Sequence, residues 1–530
     1  MKPQPQPISH SIAFFGALIV VLSLFLSRPE SLETLVWEFP RWETLSSADS
    51  SMTSAGAQNL LSSYRYSTSN SSSVPTESAQ ESPVGPHVGA TSYDAFSLPD
   101  TAPSVSILLP TAAALPVSFS NYDRSNAVDL LHSDLLLSGS PTSFQRLSTF
   151  FSKLNEPKRT PSLHVFHFGD SQIEGDRITG DLRSKWQATW GGVGPGFLSP
   201  MQPIPSLAMK QKWSEGWKRF TRFGKVDTTI KHTRYGMMAS FSIYKTAADS
   251  SNEWIEFMPH PRSYLSNRDF DEIHLALGRT APHTSATFQL NGDTIETIQL
   301  GADSTSSNHI IVLPKDAIDA TNFESLRLSF DGESPEINAV GLYSQSGIAV
   351  HNVAMRGSSG TLFRQLDRMQ LKSQLQSVRT ELVLLQYGGN AVPYLKDSSA
   401  VVRYGGWFAS QIRLFQSLVP GIPVIVIGPS DMCTKVGTRM QTYPMLPYVR
   451  DVLKASTVQE DALYWDVFDV MGGAGAMAAW VASTPSLASS DHIHFTPKGA
   501  REIASLFNQS IQTEWALWQA WQADQTIATE

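Results

Sequence analysis

The chain of 530 residues has a single cysteine, Cys433, and few charged residues, and both shortages limit what it can be. One thiol allows no disulfide within the chain, and Cys433 lies too far along it to carry an N-terminal lipid anchor. Asp, Glu, Lys and Arg make up 17% of the residues, the net charge is −8, and no block of basic residues occurs. Nucleic acid is therefore not an expected partner.

A long apolar run extends from Ile12 to Leu26. It is short for a membrane span but long for the core of a signal peptide, and no Ala-x-Ala cleavage site follows it. We expect residues 1–43 to form an uncleaved signal anchor, with a cleaved secretory signal peptide as the alternative. Both place the remainder outside the cytoplasm. An exported chain without disulfides suggests a bacterial envelope, with the globular part in the periplasm or outside the cell.

Residues 44–121 have the composition of a linker. They are rich in Ser, Thr, Ala and Pro, as in the seven residues 67–73. Such a segment cannot bury a hydrophobic core, and we expect it to be disordered. As a flexible coil it would span roughly 50 Å, which predicts a tether between a membrane anchor and a globular head.

Short apolar runs alternate with helical patterns in residues 122–205 and 341–520. Residues 521–530 are expected to form a tail. The runs that read as buried strands are residues 163–168, 348–355, 382–387, 422–427 and 463–469. This alternation predicts an α/β fold with a parallel, three-layer sheet.

Residues 206–340 have a different pattern. Short alternating strands are separated by turn signals such as Asn291-Gly292 and Asp331-Gly332. This pattern predicts an all-β sandwich inserted into the α/β domain.

The segment Gly169-Asp170-Ser171-Gln172 follows the first predicted strand, and an amphipathic helix is predicted to begin at once after it. Ser171 would stand at the carboxyl end of a strand, where α/β sheets expose their ligand sites. A serine placed there can attack an acyl carbon. The alternative is an ordinary turn that caps the helix.

A serine nucleophile needs a histidine base that a carboxylate orients. Asp491 and His494 lie just before a predicted helix that begins at Thr496-Pro497, and the aspartate can fold back onto its own histidine. His492 is the competing base. A metal site formed by Asp491, His492 and His494 is a further alternative, although no other ligands cluster nearby.

Two further loops can donate hydrogen bonds to an oxyanion. Gly357 follows the predicted strand 348–355, and Asn390 follows the strand 382–387 in the sequence Gly-Gly-Asn. A glycine exposes its backbone N–H, and an asparagine amide is a donor. Each residue on its own is also ordinary for a loop between a strand and a helix.

The four segments in this order resemble the four blocks of the SGNH (GDSL-type) hydrolases. The resemblance implies a flavodoxin-like parallel sheet and a catalytic triad of Ser171, Asp491 and His494. It implies an oxyanion hole formed by Ser171, Gly357 and Asn390, with no cofactor and no metal. Gln172 departs from the leucine or histidine that follows the serine in many relatives.

The predicted β-sandwich resembles the carbohydrate-binding-module-like domain that SGNH peptidoglycan O-acetylesterases carry at this place. The segment 471–480 also resembles those esterases, and Trp480 is expected either to line the pocket or to pack. The resemblance implies a serine esterase that removes acetyl groups from an acetylated polysaccharide such as peptidoglycan. An O-acetyltransferase would use the same residues, and a non-catalytic glycan-binding envelope protein is the alternative of a different class.

Overall fold

The computed structural model describes residue 119 and residues 135–157, 160–245, 253–314 and 317–529. The expected membrane anchor and nearly all of the expected linker lie outside these residues. Within the described ranges, no helix has both the length and the apolar character that crossing a membrane requires.

The strands and α-helices are numbered in chain order. The strands are β1 (Leu163–Gly169), β2 (Gly196–Leu198), β3 (Met209–Trp213), β4 (Trp217–Thr221), β5 (Ser240–Tyr244), β6 (Glu253–Pro259), β7 (Glu272–Leu277), β8 (Thr284–Leu290), β9 (Asp293–Leu300), β10 (Ser307–Val312), β11 (Leu326–Asp331), β12 (Ile337–Tyr343), β13 (Ile348–Ala354), β14 (Thr380–Gln386), β15 (Val424–Ile427), β16 (Cys433–Val436), β17 (Arg439–Thr442) and β18 (Leu463–Trp465). The helices are α1 (Pro141–Leu154), α2 (Thr179–Trp190), α3 (Arg368–Gln376), α4 (Ser398–Leu418), α5 (Leu446–Gln459), α6 (Val467–Val470), α7 (Ala476–Ala482) and α8 (Pro497–Thr529).

Five strands form a parallel sheet in the spatial order β13-β1-β14-β15-β18. Numbered by their appearance in the chain, these strands have the order 2-1-3-4-5 of flavodoxin-like sheets. In such sheets, ligands bind at the carboxyl ends of the strands, where the strand order reverses direction. The predicted α/β fold with a parallel sheet is confirmed, and its first and third strands, β1 and β14, border that crevice.

Helices cover both faces of the parallel sheet because its strands are apolar on both sides. In β1, Val165 faces the core formed with α1, α2 and α8, whereas Phe166 and Phe168 face the core formed with α3, α4 and α5. The helices and the sheet therefore form three layers.

Two antiparallel sheets lie between β1 and β13 in the chain. One has the order β10-β7-β12-β5-β4 with β2 also paired to β12, and the other has the order β3-β6-β11-β8-β9. Leu275 and Val340 from the first sheet share one buried core with Ile255 and Phe288 from the second. The two sheets therefore pack face to face, and β2 adds residues 196–198 ahead of the predicted boundary at residue 206.

Two local predictions were wrong. The helix expected directly after Ser171 begins only at Thr179, and a 3₁₀-helix, Glu174–Asp176, precedes it. Gly175 has a φ of 71°, a left-handed conformation that interrupts a regular helix. The strand expected over residues 463–469 ends at Trp465, because the Asp466 side chain accepts a hydrogen bond from the backbone N–H of Asp469 and caps α6.

Candidate active site

The loops that follow β1, β13 and β14 carry Ser171, Gly357 and Asn390. These three strands are neighbours in the parallel sheet, so their carboxyl ends meet at one edge. The N–H of Met355 donates to the carbonyl of Gly169 over 2.7 Å, which keeps the loop after β13 beside the turn that holds Ser171. The topology thus brings three predicted site residues together from distant parts of the chain.

Ser171, His494 and Asp491 form a continuous hydrogen-bonded chain. Ser171 Oγ lies 2.8 Å from His494 Nε2, and His494 Nδ1 lies 2.7 Å from Asp491 Oδ2. Asp491 Oδ1 also accepts hydrogen bonds from the backbone N–H groups of Ile493, at 2.9 Å, and His494, at 3.0 Å. The aspartate therefore folds back onto its own histidine and fixes both its ring and its backbone.

The environment of Asp491 favours its ionised form. Burial by itself would raise the pKa of this carboxyl, but hydrogen bonds from the His494 ring and from two backbone N–H groups outweigh it and hold the pKa below its usual value. An ionised carboxylate facing Nδ1 keeps the proton on that nitrogen. Nε2 is then left as the acceptor for the hydroxyl proton of Ser171.

His492 has different contacts. Its Nδ1 lies 3.0 Å from the carbonyl oxygen of Ser490, and its backbone has a φ of 58°. The positive φ turns the chain, so His492 and His494 do not present their rings to the same partner. No group of three or more His, Cys, Asp or Glu side chains in the described part of the chain is arranged to hold a metal ion.

Asn390 stands in the 3₁₀-helix Gly389–Tyr394 that follows β14. Its Nδ2 donates to Asp170 Oδ2 over 2.9 Å and to the carbonyl of Ser358 over 3.2 Å. An amide nitrogen carries two hydrogens. If Asn390 Nδ2 is also to donate to an oxyanion, its longer hydrogen bond, to the carbonyl of Ser358, must break or become bifurcated.

Asp170, for which the sequence predicted no role, lies under the site. Its side chain is buried, and burial raises its pKa to about 6, although hydrogen bonds from Gln172 N–H and Asn390 and the charge of His494 oppose the rise. The Gln172 N–H donates to Asp170 Oδ1 over 2.9 Å. Asp170 therefore joins the turn after β1 to the loop after β14.

Gly357 is exposed and has a φ of 76°, a conformation that favours glycine. A Cβ placed there would meet no atom within 4 Å, so the residue borders open space. Neither the N–H of Gly357 nor the N–H of Ser171 donates to a described residue. Both groups are available to an incoming acceptor.

An ion pair that the sequence did not predict joins the loops of Ser171 and Gly357. Arg356 Nε lies 2.8 and 3.0 Å from the two carboxylate oxygens of Glu174, whose side chain is almost fully buried. The partners are 182 residues apart, so no local pattern could have paired them. The pair ties the residue before Gly357 to the 3₁₀-helix after Ser171.

A buried polar network supports the Ser171 turn from below. His167 in β1 contacts Gln386 Oε1 in β14 and Thr179 Oγ1, both at 3.0 Å. Asn352 in β13 donates to Thr179 Oγ1 over 2.7 Å and to the carbonyl of Ile173 over 2.9 Å. Burial lowers the pKa of His167 to about 4, so this ring is neutral at physiological pH and acts as a fixed hydrogen-bonding group.

Trp480 is half-buried and packs on Phe495, the residue after His494, with ring centroids 5.5 Å apart. The structure thus gives Trp480 a packing contact next to the histidine.

No protein-family model and no curated protein matches the chain. Three solved structures illustrate what it is similar to. A peptidoglycan O-acetylesterase is 18% identical with a TM-score of 0.52, over 70% of this chain and 95% of that one. A putative GDSL-like lipase from Parabacteroides merdae is 12% identical with a TM-score of 0.23, over 31% and 74%. A family two carbohydrate esterase from Clostridium thermocellum is 10% identical with a TM-score of 0.22, over 57% and 100%.

The two lower TM-scores are too small to support a conclusion about this chain. The first similarity, at 18% identity, concerns the fold and not the reaction. Over 70% of its length, the chain adopts the fold of a peptidoglycan O-acetylesterase.

Proposed function

We propose that this chain is an SGNH-type serine esterase that removes O-acetyl groups from a cell-envelope polysaccharide such as peptidoglycan. The observation that carries the proposal is the hydrogen-bonded chain from Ser171 through His494 to Asp491, with distances of 2.8 and 2.7 Å. A serine, a histidine and a carboxylate in this geometry are the parts of an acyl-transfer site. The similarity in fold to a peptidoglycan O-acetylesterase favours an acetylated glycan as the substrate.

In the first step, Ser171 Oγ attacks the carbonyl carbon of the ester while its proton passes to His494 Nε2. Asp491 stabilises the imidazolium that results. The carbonyl oxygen becomes an oxyanion and accepts hydrogen bonds from the N–H groups of Ser171 and Gly357 and from the Asn390 amide. The tetrahedral intermediate collapses, His494 returns the proton to the sugar oxygen, and the deacetylated glycan leaves an acetyl group on Ser171.

In the second step, water replaces the sugar. His494 takes a proton from the water, whose oxygen attacks the acetyl carbon, and the same donors hold the new oxyanion. Collapse breaks the bond to Ser171 Oγ, which regains its proton from His494, and acetate is released. These residues supply the nucleophile, the base and the oxyanion donors, so the reaction needs no cofactor.

We propose that the enzyme acts in the bacterial periplasm or outside the cell. Residues 1–43 would anchor it in the membrane, and residues 44–121 would tether the globular part to that anchor. The antiparallel sheets between β1 and β13 are proposed to bind the carbohydrate, by analogy with the inserted domain of the esterases that the sequence resembles. A glycan is the expected partner, whereas nucleic acid is not.

The test is release of acetate by the purified full-length chain from O-acetylated peptidoglycan and from 4-nitrophenyl acetate. We expect turnover by the wild type, and a loss of several orders of magnitude in Ser171→Ala with an unchanged melting temperature. Ser410→Ala is a matched control, because Ser410 lies on α4 and its hydroxyl donates to the carbonyl of Trp407 and accepts from Gln411 Nε2, both on the same helix.

Three results would contradict the proposal. Wild-type turnover by a folded Ser171→Ala protein would exclude the serine mechanism. Transfer of acetyl groups to a glycan acceptor faster than their transfer to water would identify an O-acetyltransferase. Glycan binding by a wild type that neither hydrolyses nor transfers acetyl would indicate a non-catalytic protein.

A further inference from the structure

Gln172 contacts the peptide groups on both sides of His494. Its Nε2 donates to the carbonyl of Ile493 over 2.7 Å, and its Oε1 accepts from the N–H of Phe495 at 3.4 Å. A side-chain amide presents a donor and an acceptor side by side, as a neighbouring strand does. Gln172 therefore brackets the histidine by binding the residue before it and the residue after it.

The other backbone groups at His494 are bonded within its own loop. The N–H of His494 donates to Asp491 Oδ1 over 3.0 Å, and the carbonyl of His494 accepts from the N–H of Ser489 over 2.8 Å. With the two hydrogen bonds from Gln172, the N–H and carbonyl groups of both peptide bonds that flank His494 have partners. Such pairing is the rule for backbone polar groups in a protein interior. Two side chains, Asp491 and Gln172, bond these peptide groups, and of the two only Gln172 comes from the turn that carries the nucleophile.

Gln172 connects the loop of the histidine to the nucleophile, because it follows Ser171 directly in the chain. It is bonded covalently to Ser171, and its own N–H is held by Asp170 Oδ1 at 2.9 Å. Its Nε2 also lies 3.5 Å from Ser430 Oγ, in the loop after β15. The backbone of the nucleophile and the backbone of the base are thus joined through the half-buried side chain of Gln172, independently of the contact between Ser171 Oγ and His494 Nε2. Arg177, whose guanidinium contacts the carbonyls of Ser171 and Phe495, is a second connection.

We propose that Gln172 is a positioning residue that sets the separation between Ser171 and His494 by clamping the peptide groups at Ile493 and Phe495. The proposal rests on the proposed esterase function. Proton transfer from serine to histidine needs hydrogen-bond distance in the transition state. A displacement of about 1 Å in such a site can lower the rate about 10²-fold.

The first test is Gln172→Ala in the full-length protein. We expect a fall in kcat of about 10- to 100-fold with KM within about threefold of wild type, because the clamp aligns the reacting groups and does not hold the substrate. Gln416→Ala is the matched control. Gln416 lies on α4 and is also half-buried, and its Nε2 donates to the carbonyl of Glu460 over 2.8 Å, at the end of α5 and not in the catalytic loop. It should show a comparable small loss in Tm and a wild-type kcat.

The second test is Gln172→Glu, which leaves an acceptor for the N–H of Phe495 but sets a carboxylate against the carbonyl of Ile493. Protonation of that carboxyl restores the donor. We therefore expect the ratio of the variant's kcat to the wild-type kcat to rise as pH falls from about 7 to about 5, toward the usual Glu pKa of about 4.3. A purely structural role for Gln172 would give no such rise.

A third measurement separates this proposal from the proposed function. The rate at which an organophosphonate labels Ser171 reports on activation of the serine and needs no native substrate. We expect labelling to slow in Gln172→Ala and not in Gln416→Ala, even if no acetyl ester is a substrate. Folded Gln172→Ala protein with kcat and labelling rate within about twofold of wild type would overturn the clamp, while Ser171-dependent turnover would leave the proposed function standing.

Discussion

Asn390 Nδ2 donates to Asp170 Oδ2 over 2.9 Å, so the amide proposed to meet the oxyanion is already held by a buried carboxyl. The same carboxyl accepts a hydrogen bond from the N–H of Gln172, the residue after Ser171. Asp170 thus fixes the orientation of the Asn390 amide, so that its nitrogen and not its oxygen faces the Asp170 carboxyl. An acidic group buried at this position makes stability depend on pH.

The first prediction concerns Asp170→Asn. Burial raises the pKa of Asp170 to about 6 from 3.8, so the folded protein binds a proton more tightly than the unfolded chain between these values. The free energy of unfolding therefore contains a term that falls as pH rises through this range, by about 3 kcal/mol at most. The variant should lack this term, and the measurement is Tm against pH for both proteins.

Other carboxyls contribute equally to both proteins and cancel in the difference between them. Glu272, whose pKa burial also raises to about 6, is one of them. An identical pH slope for wild type and Asp170→Asn would show that Asp170 does not titrate in this range.

The second prediction compares His494→Ala with His492→Ala. Only His494 contacts Ser171 Oγ and Asp491 Oδ2, so its removal should lower kcat by several orders of magnitude. His492 contacts a backbone carbonyl, and its removal should leave kcat within about threefold of wild type. Acetate release from one ester measures both variants, and the reverse ranking would mean that His492 is the base.

The third prediction is that Asn390→Ala slows the chemical step more than it weakens substrate binding. Loss of one oxyanion donor typically lowers kcat about 10²- to 10³-fold, or roughly 3–4 kcal/mol. KM should change little, because the interaction strengthens only in the transition state.

Asn291→Ala is the control for Asn390→Ala. Asn291 is a turn residue whose side chain contacts the backbone of Asn322 and Glu324. Its removal should lower Tm while kcat per folded molecule stays unchanged. A stable Asn390→Ala protein with wild-type kcat would remove Asn390 from the proposed oxyanion hole.

The fourth prediction concerns Glu174→Gln, which removes the charge that pairs with Arg356. Arg356 is 46% exposed, so solvent screens the pair, and we expect a loss of about 1–2 kcal/mol in the free energy of unfolding. We also expect a fall in kcat of about tenfold, since the loop that carries Gly357 loses its tie to the Ser171 turn.

Glu460→Gln is a closely matched control for Glu174→Gln. Glu460 is 14% exposed and pairs with Arg413, which is 56% exposed, outside the site. A similar fall in Tm with unchanged kcat is the expected result. If both variants kept wild-type kcat, the Glu174–Arg356 pair would be important for stability alone.

The sequence predicted the strands of the parallel sheet because their apolar runs are continuous. β1, for example, was expected at residues 163–168 and extends over Leu163–Gly169. The residues that follow these strands also indicated the site, because the carboxyl ends of parallel strands meet in space.

Contacts that depend on tertiary structure were not predictable in this way. Gln172 was noted only as a departure from a motif, and its partners Ile493 and Phe495 come from the other end of the chain. The helix expected after Ser171 was wrong because the apolar spacing gave no sign of the left-handed Gly175. A periodic pattern reports which face is buried, not where a tertiary contact interrupts the backbone.

The separation of Ser171 from His494 by 323 residues has a consequence during synthesis. Ser171 and the antiparallel sheets leave the ribosome long before the loop that carries Asp491 and His494. A growing chain therefore exposes Ser171 without His494, and the proposed ester cleavage can begin only after the chain has been made as far as His494. A chain that stops before Asp491 would still carry every strand from β1 to β18 and would lack the base proposed for Ser171.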